Sequence, residues 1–237
     1  KAAVEDAREK VARLIGASPE EIIFTAGATE STNFIIKGYL DYRKFYGDGK
    51  NHVITSLVEH KATLNTCKYL NGELYSNNDP TISLFGEKKR VNRGFEASFV
   101  GVTPNGEINI EDIALKIKEN TALVSILYVN NEIGTISDVE AVSALCRNNN
   151  IAFHSDLTQA LGKMQIDIKK MGIDYASCSA HKIYGPKGIG AAFMKFDAYG
   201  IAPITALMHG GEQEFGFRAG THAVHNIVGF GKAAEIA

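Results

Sequence analysis

The run Ser179-Ala180-His181-Lys182-Ile183-Tyr184-Gly185-Pro186-Lys187-Gly188 places a lysine among small and apolar residues, directly after a strand-like segment. Burial lowers a lysine's pKa and leaves its amine nucleophilic, which is the property needed to condense with an aldehyde. The glycines do not make a phosphate loop of the GxxxxGK[ST] kind, because Lys187 precedes the Gly188/Gly190 pair. Asp156, in His154-Ser155-Asp156 with Gln159 downstream, ends another apolar run, where a carboxylate needs a positive or hydrogen-bonding partner. His-x-Asp can also begin a metal site. The only other close histidine pair, His222 and His225, lies far along the chain, so no metal is expected. In Thr25-Ala26-Gly27-Ala28-Thr29-Glu30 a glycine turn meets a helix start. It is either an anion cradle of backbone amides or a plain N-cap by Thr29. Glu59-His60 and Asn130-Asn131-Glu132 follow two further strand-like runs, where a lone histidine or an amide pair serves structure as readily as a ligand.

These residues need a frame, and the apolar spacing supplies one. Strands are expected at Glu21–Thr25, His52–Ser56, Ala122–Tyr128, Ile151–His154, near Tyr175–Ser177 and near Gly190–Lys195. Helices are expected at Thr29 to about Tyr46, Lys61–Leu70, Glu111–Glu119, Val139–Asn149 and, briefly, from Thr158. Alternation of this kind argues for an α/β fold, a mainly parallel sheet flanked by helices on both faces, with ligands beyond the carboxyl ends of the strands. Residues 71–97 interrupt the rhythm as a polar and basic excursion containing Lys88-Lys89-Arg90, read as a solvated loop or a docking patch for an acidic partner. With 45% hydrophobic and 22% charged residues among 237, the chain is neither disordered nor membrane-spanning. A formal net charge of −2 gives no field for nucleic acid or an anionic membrane. Cys67, Cys146 and Cys178 are too scattered for a disulfide framework or a zinc site and fit a reducing compartment. The chain opens at Lys1 and closes at Ala237 inside helical patterns, as expected of part of a longer polypeptide.

Six segments in order carry a resemblance: Ala28-Thr29-Glu30-Ser31, Glu59-His60-Lys61-Ala62, Asn130-Asn131-Glu132-Ile133-Gly134, His154-Ser155-Asp156 with Gln159, Ser179 through Gly190, and Arg218-Ala219-Gly220-Thr221. Together they resemble the cysteine desulfurases, pyridoxal 5'-phosphate enzymes of the class V aminotransferase group with a type I fold. The resemblance implies that Lys182 holds the cofactor covalently and shuttles the substrate's α-proton, with His60 stacked on the ring and assisting. Asp156 would pair with the pyridine nitrogen. Asn131 and Gln159 would surround the phenolic oxygen, and Ala28, Thr29, Ser179 and His181 the phosphate. Thr221 would reach the phosphate of a neighbouring subunit, implying a homodimer.

The implied reaction takes L-cysteine to L-alanine and passes persulfide sulfur to iron–sulfur scaffold or sulfur-carrier proteins, or to tRNA thiolation, with no nucleic acid or membrane bound directly. The implied location is the cytoplasm, or the mitochondrial matrix in a eukaryote. Residues 1–237 would be the cofactor-binding large domain, with the small C-terminal domain, the nucleophilic cysteine and the substrate-carboxylate arginine outside this chain. A selenocysteine lyase shares the same motifs, and a catalytically incomplete, cofactor-loaded scaffold subunit is the reading from a different class.

Overall fold

A computed structural model describes residues 1–73, 91–197 and 199–237. Seven strands form one sheet: β1 (Ile22–Thr25), β2 (His52–Ser56), β3 (Glu96–Val100), β4 (Thr121–Ser125), β5 (Ala152–Asp156), β6 (Tyr175–Ser179) and β7 (Gly190–Met194). Their order is β1-β7-β6-β5-β4-β2-β3. From β6 to β3 every pairing is parallel. β7 alone runs antiparallel, to β1 on one side and β6 on the other.

Helices cover both faces. Along each strand alternate side chains go to opposite faces, and the core divides accordingly. Phe24, Ile54, Val124, Phe153, Ala176, Cys178 and Phe193 pack with α1 (Ala2–Ile15), α4 (Ile110–Lys116), α5 (Val139–Asn148) and α6 (Val224–Ile236). Ile23, Val53, Leu123, Tyr175, Ala192 and Met194 pack with α2 (Ala28–Phe45) and α3 (Lys61–Leu70). α1 ends at Gly16, whose φ of 71° is the left-handed cap that a glycine takes without strain. α1 and α6 approach closely because Gly231 carries no side chain: a Cβ there would meet Ala7 Cα at 2.6 Å.

Three elements differ from the sequence reading. The strand expected over 122–128 stops at Ser125. Ile126 N and Tyr128 N still donate to His154 O and Asp156 O at 3.1 Å, but Leu127 N donates to the Glu59 carboxylate instead of to a strand. The helix expected from Thr158 is a pair of turns, ended where Gly162 takes a φ of 65°. The excursion over 71–97 yields an edge strand at its end, β3, which adds a parallel neighbour to β2; residues 74–90 of that excursion lie outside the described residues. No helix among the described residues is long and apolar enough to cross a membrane.

Candidate active site

The carboxyl ends of β4, β5 and β6 and the amino end of α2 surround a cavity of about 200 Å³. Ala28, Thr29, His60, Asn131, Asp156, Gln159, His181 and Lys182 line it, so eight of the ten expected residues meet there. Ser179 stands one step away. Its buried hydroxyl hydrogen-bonds His181 Nδ1 at 2.8 Å, and it lines an adjoining cavity that shares Thr29 and His181 with the first. Thr221 is exposed and lines neither cavity.

Each position has a local cause. Gly27, not Thr29, is the N-cap of α2, with a φ of 153°. This leaves the first-turn amides of an 18-residue helix facing the cavity end without intrahelical partners, which favours the anion cradle over the plain cap. Glu30 fixes the turn, accepting from Ala26 N at 2.8 Å and from Arg218 at 2.7 and 3.2 Å. The arginine offsets the charge of this carboxylate at the first turn of α2.

Asp156 is the last residue of β5 and is buried. Burial raises its pKa, while the hydrogen bond from Thr158 N and the nearby His60 ring oppose the rise. Among the described residues it has no ion-pair partner; Thr158 N donates to Oδ1 at 2.9 Å. Lys182 lies in a 3-10 turn, Ala180–Ile183, immediately after β6. It is half-buried and makes no hydrogen bond or ion pair among the described residues. An unpaired amine and a buried carboxyl group thus line one small cavity.

The imidazoles are oriented by their backbones. His60 caps α3, and its Nδ1 accepts from Ala62 N at 3.1 Å, so a neutral ring carries its proton on Nε2. Burial, with Lys182 and Lys187 nearby, lowers the pKa of His181. Of the amide pair, Asn130 serves the turn: its Oδ1 accepts from Glu132 N and Ile133 N, and its Nδ2 donates to Val58 O. Asn131 is left to the cavity. Gln159 also lines it while accepting from Lys163 Nζ at 3.2 Å.

Sequence reasoning missed Leu127, Val129 and Thr158 in the wall, and singled out Glu59 beside His60 without its burial behind that wall. The Glu59 carboxylate accepts from Ser56 Oγ at 2.7 Å and Leu127 N at 3.1 Å, tying the His60 turn to the cavity wall. Burial pushes its pKa up to about 8. An acidic residue beside a histidine gives no sign of burial in one dimension; only the β4 extension reveals it. Beside the edge strand β1 a second cluster goes equally unmarked: Arg8 of α1 bonds both oxygens of Glu214 at 2.7 and 2.8 Å, and Glu214 also receives Phe24 N at 2.7 Å. That cluster pins the segment leading to Arg218 and Thr221.

All three cysteines are free and buried. Burial pushes the thiols of Cys146 and Cys178 up to about 12 and raises that of Cys67 further. Cys178, the one nearest the lysine in sequence, points into the core shared with α1 and α6 and donates to Ala191 O at 3.5 Å. No cluster able to hold a metal occurs among the described residues.

Fold and cavity define a sheet-based domain whose strand ends combine a lysine amine, a buried carboxylate and an anion-ready helix start. The chain belongs to the aminotransferase class-V family, whose pattern matches residues 1–75 and 85–237. It is 45% identical over 99% of its length to "Cysteine desulfurase IscS" of Plasmodium falciparum (isolate 3D7), and 46% identical to the protein of that name from Buchnera aphidicola subsp. Baizongia pistaciae. It spans 39% and 52% of those relatives' own lengths. The solved structure described as "SspA in complex with cysteine" superposes with a TM-score of 0.84 at 39% identity, covering 99% of this chain and 60% of that one.

Proposed function

We propose that residues 1–237 form the pyridoxal phosphate-binding large domain of a cysteine desulfurase. The observation that carries this reading is the meeting of Lys182, Asp156 and the α2 amino end around one cavity. The donor set fits the cofactor: a carboxylate without a cation suits a protonated ring nitrogen, a free amine suits an aldehyde, and first-turn amides suit a phosphate. Bound there, the cofactor would supply an aldehyde and an electron-withdrawing ring.

The chain's own residues do the rest. Lys182 Nζ holds the cofactor and moves the substrate's α-proton. Asp156 keeps a proton on the ring nitrogen, an arrangement that low dielectric strengthens once the charges are paired. His60, with Nδ1 occupied by Ala62 N, would hold the ring from one side and present Nε2. Asn131 and Gln159 orient the ring oxygen, and Ser179 with His181 supports the phosphate beside Ala28 and Thr29. Thr221, exposed and outside its own cavities, fits a role toward a second copy of the chain in a homodimer.

L-cysteine would yield L-alanine, its sulfur captured as a persulfide by a thiolate. The raised thiol pKa values and burial of Cys67, Cys146 and Cys178 leave that thiolate to come from outside residues 1–237. The relatives' names support the same substrate; a persulfide formed from it would pass its sulfur to iron–sulfur scaffold or sulfur-carrier proteins. The buried free cysteines fit a reducing compartment, the cytoplasm or a mitochondrial matrix.

The test is the full-length protein incubated with pyridoxal phosphate and dialysed. It should retain a visible absorption band and form alanine from L-cysteine. Lys182→Ala should lose the retained band and lower turnover by about 10³-fold or more. A wild-type protein that retains no band overturns the reading. Faster turnover of selenocysteine than of cysteine would move it to a lyase.

A further inference from the structure

Below the cavity, polar side chains form a continuous line through the α2 face of the sheet. Thr32 Oγ1, in the second turn of α2, donates to Ser177 Oγ on β6 at 2.8 Å. Ser177 Oγ lies 3.2 Å from His154 Nε2 on β5, and His154 Nδ1 lies 2.8 Å from Ser125 Oγ on β4. Thr32, His154 and Ser177 are fully buried and Ser125 is 1% exposed.

Counting protons gives the line a direction. Thr32 uses its proton on Ser177, so the Ser177 proton is free for His154 Nε2. The imidazole then carries its own proton on Nδ1 and donates it to Ser125, and each of these donors has an acceptor. Burial holds the His154 pKa down at about 3, so the ring stays neutral.

Apolar side chains of similar shape would pack this layer at no cost in desolvation. What the polar line adds is fixed geometry between elements, because hydrogen bonds demand distances and angles that apolar contacts do not. Its two ends are informative. Thr32 sits one turn from Ala28 and Thr29, at the anion cradle, and His154 sits two residues before Asp156, on the same face of β5.

We propose that Thr32, Ser177 and His154 are positioning residues that set the distance between the anion cradle of α2 and the Asp156 carboxylate, so that one rigid ligand meets both ends. This rests on the cofactor reading above and deepens it: the line acts as a spacer for pyridoxal phosphate and touches neither cofactor nor substrate.

The experiment is an absorption titration of cofactor-free full-length protein with pyridoxal phosphate, together with a pH titration of the bound absorption band. Thr32→Val keeps shape and removes the donor; it should weaken binding about tenfold and shift the pH at which the band changes. Thr32→Ser, which restores the hydroxyl, should bind within about twofold of wild type. Ser177→Ala should match Thr32→Val, and the double variant should be no weaker than either alone, because one line is broken once. Thr32→Val and Ser177→Ala binding like wild type, with an unchanged pH titration, overturns the spacer alone. Additive losses in the double variant overturn it too. A wild-type protein that does not bind the cofactor overturns the cofactor reading and the spacer with it.

Discussion

Along β5, Phe153 faces one side of the sheet and His154 and Asp156 face the other. Phe153, fully buried, enters the core shared with α1, α5 and α6, together with Phe24, Val124, Phe193 and Phe230. His154 and Asp156 enter the face covered by α2, where Ser125, Ser177 and Thr32 wait as hydrogen-bond partners. One face is dry at this point and the other carries a polar line leading to the cavity. The division separates two tasks: burial of apolar area holds the sheet together, and the polar face fixes where charges stand.

The largest expected effect tests the dry face. Phe153→Ala should cost about 3–5 kcal/mol of stability in denaturant unfolding, the usual loss for emptying a packed aromatic site. The surviving folded protein should bind pyridoxal phosphate nearly as the wild type does. Reduced affinity in proportion to lost stability would erase the contrast between faces.

Asp156→Asn tests the other side. Its carboxylate is buried without an ion pair among the described residues, and burial raises its pKa, so the neutral amide should fold at least as well. Cofactor affinity should nonetheless fall about 10- to 100-fold, corresponding to about 1.4–2.7 kcal/mol of lost pairing. Unchanged affinity would show that the carboxylate serves only its Thr158 turn.

The last effect is a pH dependence. Glu59 has a folded-state pKa of about 8 against 4.5 for the free side chain. The folded chain keeps a proton that the unfolded chain releases, so stability falls as pH rises from 4.5 and levels off above about 8. His154 acts in the opposite sense lower down: held at about 3 against 6.5, it lets stability fall as pH drops below 6.5. Asp156 adds to the Glu59 trend. Between pH 6.5 and 8 the Glu59 contribution stands apart from that of His154, and Glu59→Gln should flatten the unfolding midpoint across that window. A Glu59→Gln protein that keeps the wild-type slope would place the titrating group elsewhere.

Much of the frame was legible in one dimension. Periodicity placed β2 and α3 at their observed bounds and α2, α5 and β6 within two residues, because their apolar residues repeat at helix or strand spacing. Eight of the residues singled out line one cavity because they follow strands, where this architecture gathers its ligands, but strand position alone left their roles open and the family resemblance supplied them. Residues whose role depends on a partner far along the chain were not legible. Glu59 meets Leu127, Arg8 meets Glu214 and Thr32 meets Ser177, and no local pattern announces such pairs. The strand expected to run to Tyr128 failed for the same reason, since a side chain from the β2 turn took one of its backbone donors.

The amino-acid order determined which segments could be strands or helices and which polar side chains would stand at their ends, because propensity, periodicity and turn chemistry act over a few residues. Tertiary structure alone decided that Lys182 and Asp156 share a cavity, that Thr221 lies outside it, and that Cys178 faces away. Those outcomes depend on strand order and on which face of the sheet each side chain enters, and both are settled only when distant segments pack.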